Sequence, residues 1–329
     1  MDSSILSVAQ SFGLRCTKAK IYRDKFGYVC ATAEGPIKIQ RPGLRGRSAQ
    51  AYNPQTFDDN PIIAGILFQH KAKEYLHKND FIVDRFLISA QNVPYLKTED
   101  GIYTACFAHS GPNVDFTQSA EFLDVVACVA KMHHAFLRAD IGSAAPMPSP
   151  KTKIGEGAAK SLANLTSLKK KLLRAGKFSE FDMLFLRSYE KLAPHIIAFG
   201  DEGGTYICHN FLKEENIYRQ GNKIALANFS EAAQMNHLYD LAYLVKRYIK
   251  AEPNDIIPLC KILEIYMLNC PDVTFDEKLF RRILLYPDKF IKVSNDYYSK
   301  KRSFAPNTYL SRMEECLRMG EALLSAIEN

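Results

Sequence analysis

The sequence predicts an α+β fold, with a small mixed β-sheet in the N-terminal part and a mainly helical remainder. Three observations predict it. Residues 14–42 alternate apolar and polar side chains in short pieces punctuated by glycine and proline, a β-meander pattern. From Ser119 onward, apolar residues recur at helical spacing over long stretches. Residues 205–240 then interrupt the helices with short β-segments around a polar loop and a tight turn. At 329 residues the chain exceeds the usual single-domain size, so two lobes are expected, 1–108 and 109–329.

The composition, 47% hydrophobic and 24% charged, is that of an ordinary globular protein. The net charge of +7 is spread among charges of both signs, with no basic tail, so nucleic acid is not implied. Eight cysteines contain no Cys-x-x-Cys pair and sit among apolar neighbours, as in a reducing compartment; zinc is not indicated. The start, MDSSILSVAQSFGL, has an acid at position 2 and too short an apolar stretch for a signal peptide. No run of about 18 apolar residues exists to span a bilayer. These features point to synthesis in the cytoplasm.

In chain order, strands are expected at Cys16–Tyr22, Tyr28–Ala33 and Ile37–Ile39. Gly43–Asn60, with Arg45, Arg47 and Ser48, reads as a surface loop. Pro61 opens a helix whose apolar spacing runs through His77. Strand-like runs follow at Val83–Ile88, Pro94–Lys97 and Ile102–Phe107, the last two joined by an Asp100-Gly101 hairpin turn. His109-Ser110-Gly111-Pro112 has hinge composition.

Helices are then expected at Ser119–Ala139, Ala158–Arg174 and Glu180–Ala193, the last opened by Ser179 with Asp182 at capping-box spacing. Residues 142–157 between the first two read as irregular. Adjacent His133 and His134 point about 100° apart on a helix, so a core or capping role outweighs shared metal binding. The Lys169–Lys171 run reads as a solvated face rather than a docking patch. Further helices are expected at 238–250, 255–269, 276–298 with a break at Pro287, and 306–327.

The polar centre of the chain lies in the segment 205–240. Tyr206–Cys208 precedes a loop carrying His209 and Asn216. Ile217–Tyr218 and Lys223–Phe229 form a hairpin closed by Gln220-Gly221-Asn222, where Gly and Asn tolerate the positive φ of a tight reversal. Asn228 ends the second strand, and Tyr239-Asp240-Leu241-Ala242 starts a helix.

This order, His209, Asn216, hairpin, Asn228-Phe229 and Tyr-Asp-Leu-Ala, resembles the catalytic segment of the aminoglycoside-phosphotransferase and choline-kinase-like kinases. That segment reads His-Gly-Asp-x-x-x-x-Asn, hairpin, Ile-Asp-Phe, Asp-Leu-Ala. Leu284–Phe304, LLYPDKFIKVSNDYYSKKRSF, resembles the Tyr-Pro-x-Lys-Phe and Tyr-Tyr block of CotS-type spore coat proteins, a branch of that superfamily. The resemblance runs from about Tyr22 to Leu317.

It implies a two-lobed protein-kinase-like fold. It also implies that Lys38 is the strand lysine for nucleotide phosphates and Glu74 its helix partner. From the residues alone, Lys38 also fits a solvent-facing strand position, and Glu74 a surface carboxylate paired with Lys71 or Lys78. The family's two aspartates fall on Phe211 and Asn228. Phe211 cannot serve as a base, and Asn228 and Asn216 offer only neutral oxygens to a Mg²⁺ ion that prefers anionic ones. Phe211 is expected to be packed and Asn228 to sit at a cleft edge, with Asp240 capping its helix or bracing the loop.

The implied function is that of a catalytically inactive pseudokinase acting among other spore coat proteins, with no certain cofactor. The alternatives are an active small-molecule phosphotransferase, using ATP, Mg²⁺ and relocated carboxylates such as Glu214, Glu215 or Glu231, and a non-hydrolysing nucleotide sensor.

Overall fold

The computed structural model describes residues 3–24, 27–33, 35–42, 61–99, 101–108, 111–139, 157–197, 206–252, 257–299 and 305–328. In chain order the elements begin α1 (Ser3–Ser11), β1 (Cys16–Asp24), β2 (Gly27–Thr32), β3 (Gly35–Gln40), α2 (Pro61–Lys78), β4 (Ile82–Val83), β5 (Leu96–Thr98) and β6 (Gly101–Phe107). Then follow α3 (Ser119–Leu137), α4 (Ala158–Ala175), α5 (Glu180–Leu192), β7 (Tyr206–Cys208), β8 (Ile217–Gln220), β9 (Lys223–Leu226) and β10 (Ala233–Met235). The chain closes with α6 (Leu238–Ala251), α7 (Leu259–Asn269), α8 (Glu277–Leu285), α9 (Asp288–Tyr298) and α10 (Pro306–Glu328). The loop expected over Gly43–Asn60 lies outside the described residues, as do most of 142–157, Asp100 of the expected turn, and His109-Ser110.

Two compact units do not follow chain order. The first comprises Met1–Val114, Ala135–Ser149 and His209–Gln234; the second comprises Asp115–His134, Pro150–Cys208 and Met235–Asn329. The hairpin segment joins the first unit because β4 pairs in parallel with β9, Ile82 with Ala225 and Val83 with Leu226.

In the first unit, a five-stranded antiparallel sheet has the order β1-β2-β3-β6-β5. Alternation of side chains along each strand sets its two faces. Ile37, Ile39, Cys30, Tyr103 and Ala105 pack beneath Ile5, Val8 and Ala9 of α1. This helix is not among the elements expected from the sequence; its apolar residues at positions 5, 8 and 9, with Phe12 just beyond its end, form the buried face. Ile102 and Cys106 face the other way, against Ile63 and Ile66 of α2 and Phe86. Lys38 stands between Ile37 and Ile39, so alternation turns it towards the α2 side, in register with Cys106.

The strand expected at Val83–Ile88 is shorter than its apolar run. Only Ile82–Val83 pairs with β9, and Phe86 makes an isolated bridge to Cys106. The β8–β9 hairpin closes at Gly221, whose φ of 61° is the left-handed conformation a residue with a Cβ rarely adopts.

The second unit is helical. Phe122 of α3 stacks on Tyr248 of α6, ring centroids 4.2 Å apart. Ser179 and Asp182 form the expected reciprocal capping box at the start of α5. The expected break at Pro287 separates α8 from α9. Helices α5 and α10 approach closely enough that a Cβ on Gly320 would meet Leu192 Cδ2 at 2.3 Å. Among the described residues, no helix is long and apolar enough to cross a membrane.

Candidate functional site

The parallel β4–β9 pairing builds the site. Extending the register by one residue brings Asp84 beside the end of β9, and its Oδ2 accepts the Asn228 backbone N–H at 3.0 Å. Asn228 holds φ 66° and ψ 60°, a left-handed geometry that asparagine tolerates better than most residues. Its Nδ2 donates to Asn216 Oδ1 at 3.1 Å, and Asn216 Nδ2 donates to the Phe211 carbonyl at 2.9 Å. The Ala227 N–H donates to the Asn216 carbonyl at 2.9 Å, closing the loop onto the hairpin. Asn228 Oδ1 is buried with no hydrogen-bond partner among the described residues.

His209 is fully buried, its Nε2 3.0 Å from the Ala227 carbonyl oxygen and its ring 4.4 Å from that of Phe229. It holds the loop against the residue before Asn228, a positioning role. Phe211 is half-buried, not packed in the core as expected, and the Lys213 ammonium lies 4.5 Å from its ring centre. Asn228, expected at a cleft edge, is instead only 6% exposed.

The charge at the site comes from residues that sequence reasoning did not single out. Lys73 of α2 is 2% exposed, and its ammonium lies 3.0 Å from Asp84 Oδ1. That oxygen has no directed hydrogen bond, so the attraction there is coulombic. The ammonium also sits 3.9 Å from the Phe86 ring centre and 5.9 Å from that of Phe229. Glu74, expected to pair with Lys38, instead pairs with the half-exposed Arg85 at 3.6 Å. One residue along a helix is a 100° rotation, which turns Glu74 outward where Lys73 points in.

Lys38 lies on the inner face, and both it and Lys73 act electrostatically on the Cys106 thiol. Burial, reinforced by Asp84, nevertheless pushes that thiol up to about 12, so it stays protonated and unreactive. A signal for Lys73 was present in its spacing, seven residues after Ile66 and three before Leu76 on the apolar face. Asp84 stood out as a lone acid inside the apolar run FIVDRFLI.

These residues do not fit a Mg²⁺ ion. Asn216 Oδ1 is taken by the Asn228 amide, and Asp84 is neutralised by Lys73 and bonded to the Asn228 N–H. What remains is one neutral amide oxygen, where a hard dication needs anionic ones.

Asp240 belongs to a separate network within the second unit. It is 1% exposed, and the side chain that accepts the first N–H of α6, that of Leu238, is Asn236, at 3.0 Å. Asp240 Oδ2 instead lies 3.1 Å from His133 Nε2, while His133 Nδ1 lies 2.6 Å from Tyr266 Oη. His237 Nδ1 is 3.0 Å from the same hydroxyl. Asp240 thus braces α3 against α6. The expectation that His133 serves the core is met: the residue is fully buried, and His134 points away to Asp272 at 3.7 Å. His133, Cys208 and Asp240 bring ligand-type atoms within 4.8 Å of one another. Both His133 nitrogens are already hydrogen-bonded and burial keeps the Cys208 thiol protonated, so the network is closed without an ion.

A mixed sheet packed by helix α2, with a parallel strand leading to a polar hairpin loop, defines a kinase-like fold. The same fold is found in an aminoglycoside phosphotransferase from Alicyclobacillus acidocaldarius. The two share 14% identity with a TM-score of 0.69, over 98% of this chain and 94% of that one. A spectinomycin phosphotransferase crystallised with ADP and spectinomycin matches at a TM-score of 0.61 and 10% identity, over 99% of this chain and 98% of its own. A microcompartment-associated aminopropanol kinase matches at 0.59 and 11%, over 98% of each chain. No protein-family model and no curated protein sequence matches the chain.

Proposed function

We propose that this chain is a catalytically inactive member of the kinase-like fold, of the CotS spore coat type, acting through contacts with other coat proteins. The observation that carries the inactive reading is the closed amide chain Asn228–Asn216–Phe211, standing where the kinases carry two aspartates. A missing base alone is worth about 10²- to 10⁴-fold in rate. The relocated acids offer little replacement: Glu215 is 60% exposed and pairs with Lys213 at 3.7 Å. The coat role rests on the resemblance of Leu284–Phe304. A second reading, a nucleotide sensor without turnover, is favoured by the inward placement of Lys38.

Turnover of ATP tests the proposal. Wild type, Phe211→Asp and Asn228→Asp are each expected to stay at background. Phe211→Asp leaves only neutral amides for the metal, and Asn228→Asp leaves an aromatic at the place of the base. The two differ in stability. Phe211 is half-buried, so its replacement is mild; an aspartate at Asn228 would sit buried beside Asp84 and face Asn216 Oδ1 with a second oxygen. Clear turnover by wild type would overturn the proposal and direct attention to Glu214 and Glu231.

A further inference from the structure

Helix α4 is held to the second unit by a narrow inner strip. Leu165 is buried, Thr166 Oγ1 meets Tyr189 Oη at 2.8 Å, and Lys169 pairs with Glu190. The rest of the helix faces outward with one sign of charge. Residues 157–179 contain Lys160, Lys169, Lys170, Lys171, Arg174 and Lys177 and no acid at all. Lys170, Leu173 and Arg174 follow at positions i, i+3 and i+4 of the helix, Lys177 lies just beyond its left-handed Gly176 cap, and all four are exposed. At the same end three large apolar side chains stand in solvent: Leu173 at 54%, Phe178 at 40% and Met183 at 57% exposure.

We propose that this corner, the C-terminal half of α4 and the turn into α5, docks on the surface of an anionic phospholipid bilayer. The charge complementarity is direct: the α4 face, cationic and without an acid through Ser179, meets headgroup phosphates, while Glu180 and Asp182 begin only in the first turn of α5. The apolar groups select a bilayer over a purely polar polyanion. A cationic helix face edged by Leu, Phe and Met matches the boundary between headgroups and acyl chains, where lysine stems and apolar side chains are buried together. Binding of this kind is peripheral and requires no spanning helix. It is independent of whether the kinase-like site is active.

The test is co-sedimentation of the full chain with phosphatidylcholine vesicles, with and without phosphatidylserine, at low and high salt. Binding is expected only with phosphatidylserine and is expected to fall as salt rises. Lys170→Glu/Lys171→Glu should weaken it roughly thirtyfold or more, the loss that two surface cations carry. Leu173→Ser/Phe178→Ser should also weaken it, and because both side chains are exposed the melting temperature should stay unchanged. Failure of wild type to sediment with phosphatidylserine vesicles overturns the proposal. So does binding that the serine pair leaves intact and soluble polyglutamate matches, which would assign the face to an acidic protein.

Discussion

Lys73→Met is expected to lower the stability of the fold by about 3–5 kcal/mol, the range for removing one partner of a buried ion pair. Lys73 and Asp84 are 2% and 8% exposed. The methionine replaces the stem with little change in volume, so packing against Phe86 and Phe229 is largely kept and the loss is electrostatic. What remains is a carboxylate without its cation, still tied through Oδ2 to the Asn228 N–H. Lys73→Met/Asp84→Asn should recover most of the loss, because the neutral amide oxygen can still accept from Asn228. Urea unfolding of wild type, single and double variants measures the coupling. A single-variant loss under about 1 kcal/mol, the range of exposed pairs, would mean that water reaches this pair.

Acidification should unfold the second unit early, through His237. Burial, followed by the nearby His133, lowers its pKa from 6.5 to about 3, against smaller opposing effects from the Thr274 carbonyl and Asp240. The folded protein therefore holds the ring neutral while the unfolded chain protonates it below pH 6.5. The stability carried by the neutral ring is complete above that pH and is lost as pH falls towards 3. Each pH unit in that window removes about 1.4 kcal/mol, so about 2 kcal/mol is gone by pH 5. His237→Gln should be less stable at pH 7.5, having lost the Tyr266 contact, yet show a flatter stability profile between pH 7 and 5. Equal slopes in wild type and variant would show that another group carries the acid sensitivity.

Much of the local structure was legible because its chemistry is local. The Gln220-Gly221-Asn222 turn, the Ser179 capping box and the break at Pro287 each depend on residues within a few positions of one another. The mixed sheet followed by helices was legible for the same reason. The charged part of the site was not. Lys73 and Asp84 become site residues only through the parallel pairing of β4 with β9, which joins residues more than a hundred positions apart. One helix position separates Glu74, which pairs with Arg85, from Lys73, which turns inward to Asp84. Helix α1 has apolar residues at i, i+3 and i+4, with Phe12 following at i+7, but at nine residues it is too short for periodicity alone to separate it from a loop, and its burial beneath the sheet comes from tertiary packing. Phe211 and Asn228 are singled out in the sequence by their place in the loop. Their burial was reversed, since neither hydropathy nor turn chemistry reveals that Asn228 is tied to Asp84 and Asn216.

As proposed, the loop that holds metal and phosphate in kinases is closed here by neutral amides and an internal ammonium. Calorimetric titration of the full-length wild type with ATP, in the presence and absence of magnesium, tests it most directly. Binding is expected to be weak or undetectable and unchanged by magnesium, because the Asn228–Asn216–Phe211 chain presents neutral amides and Asp84 is held by Lys73. Tight binding that appears only with magnesium would contradict it.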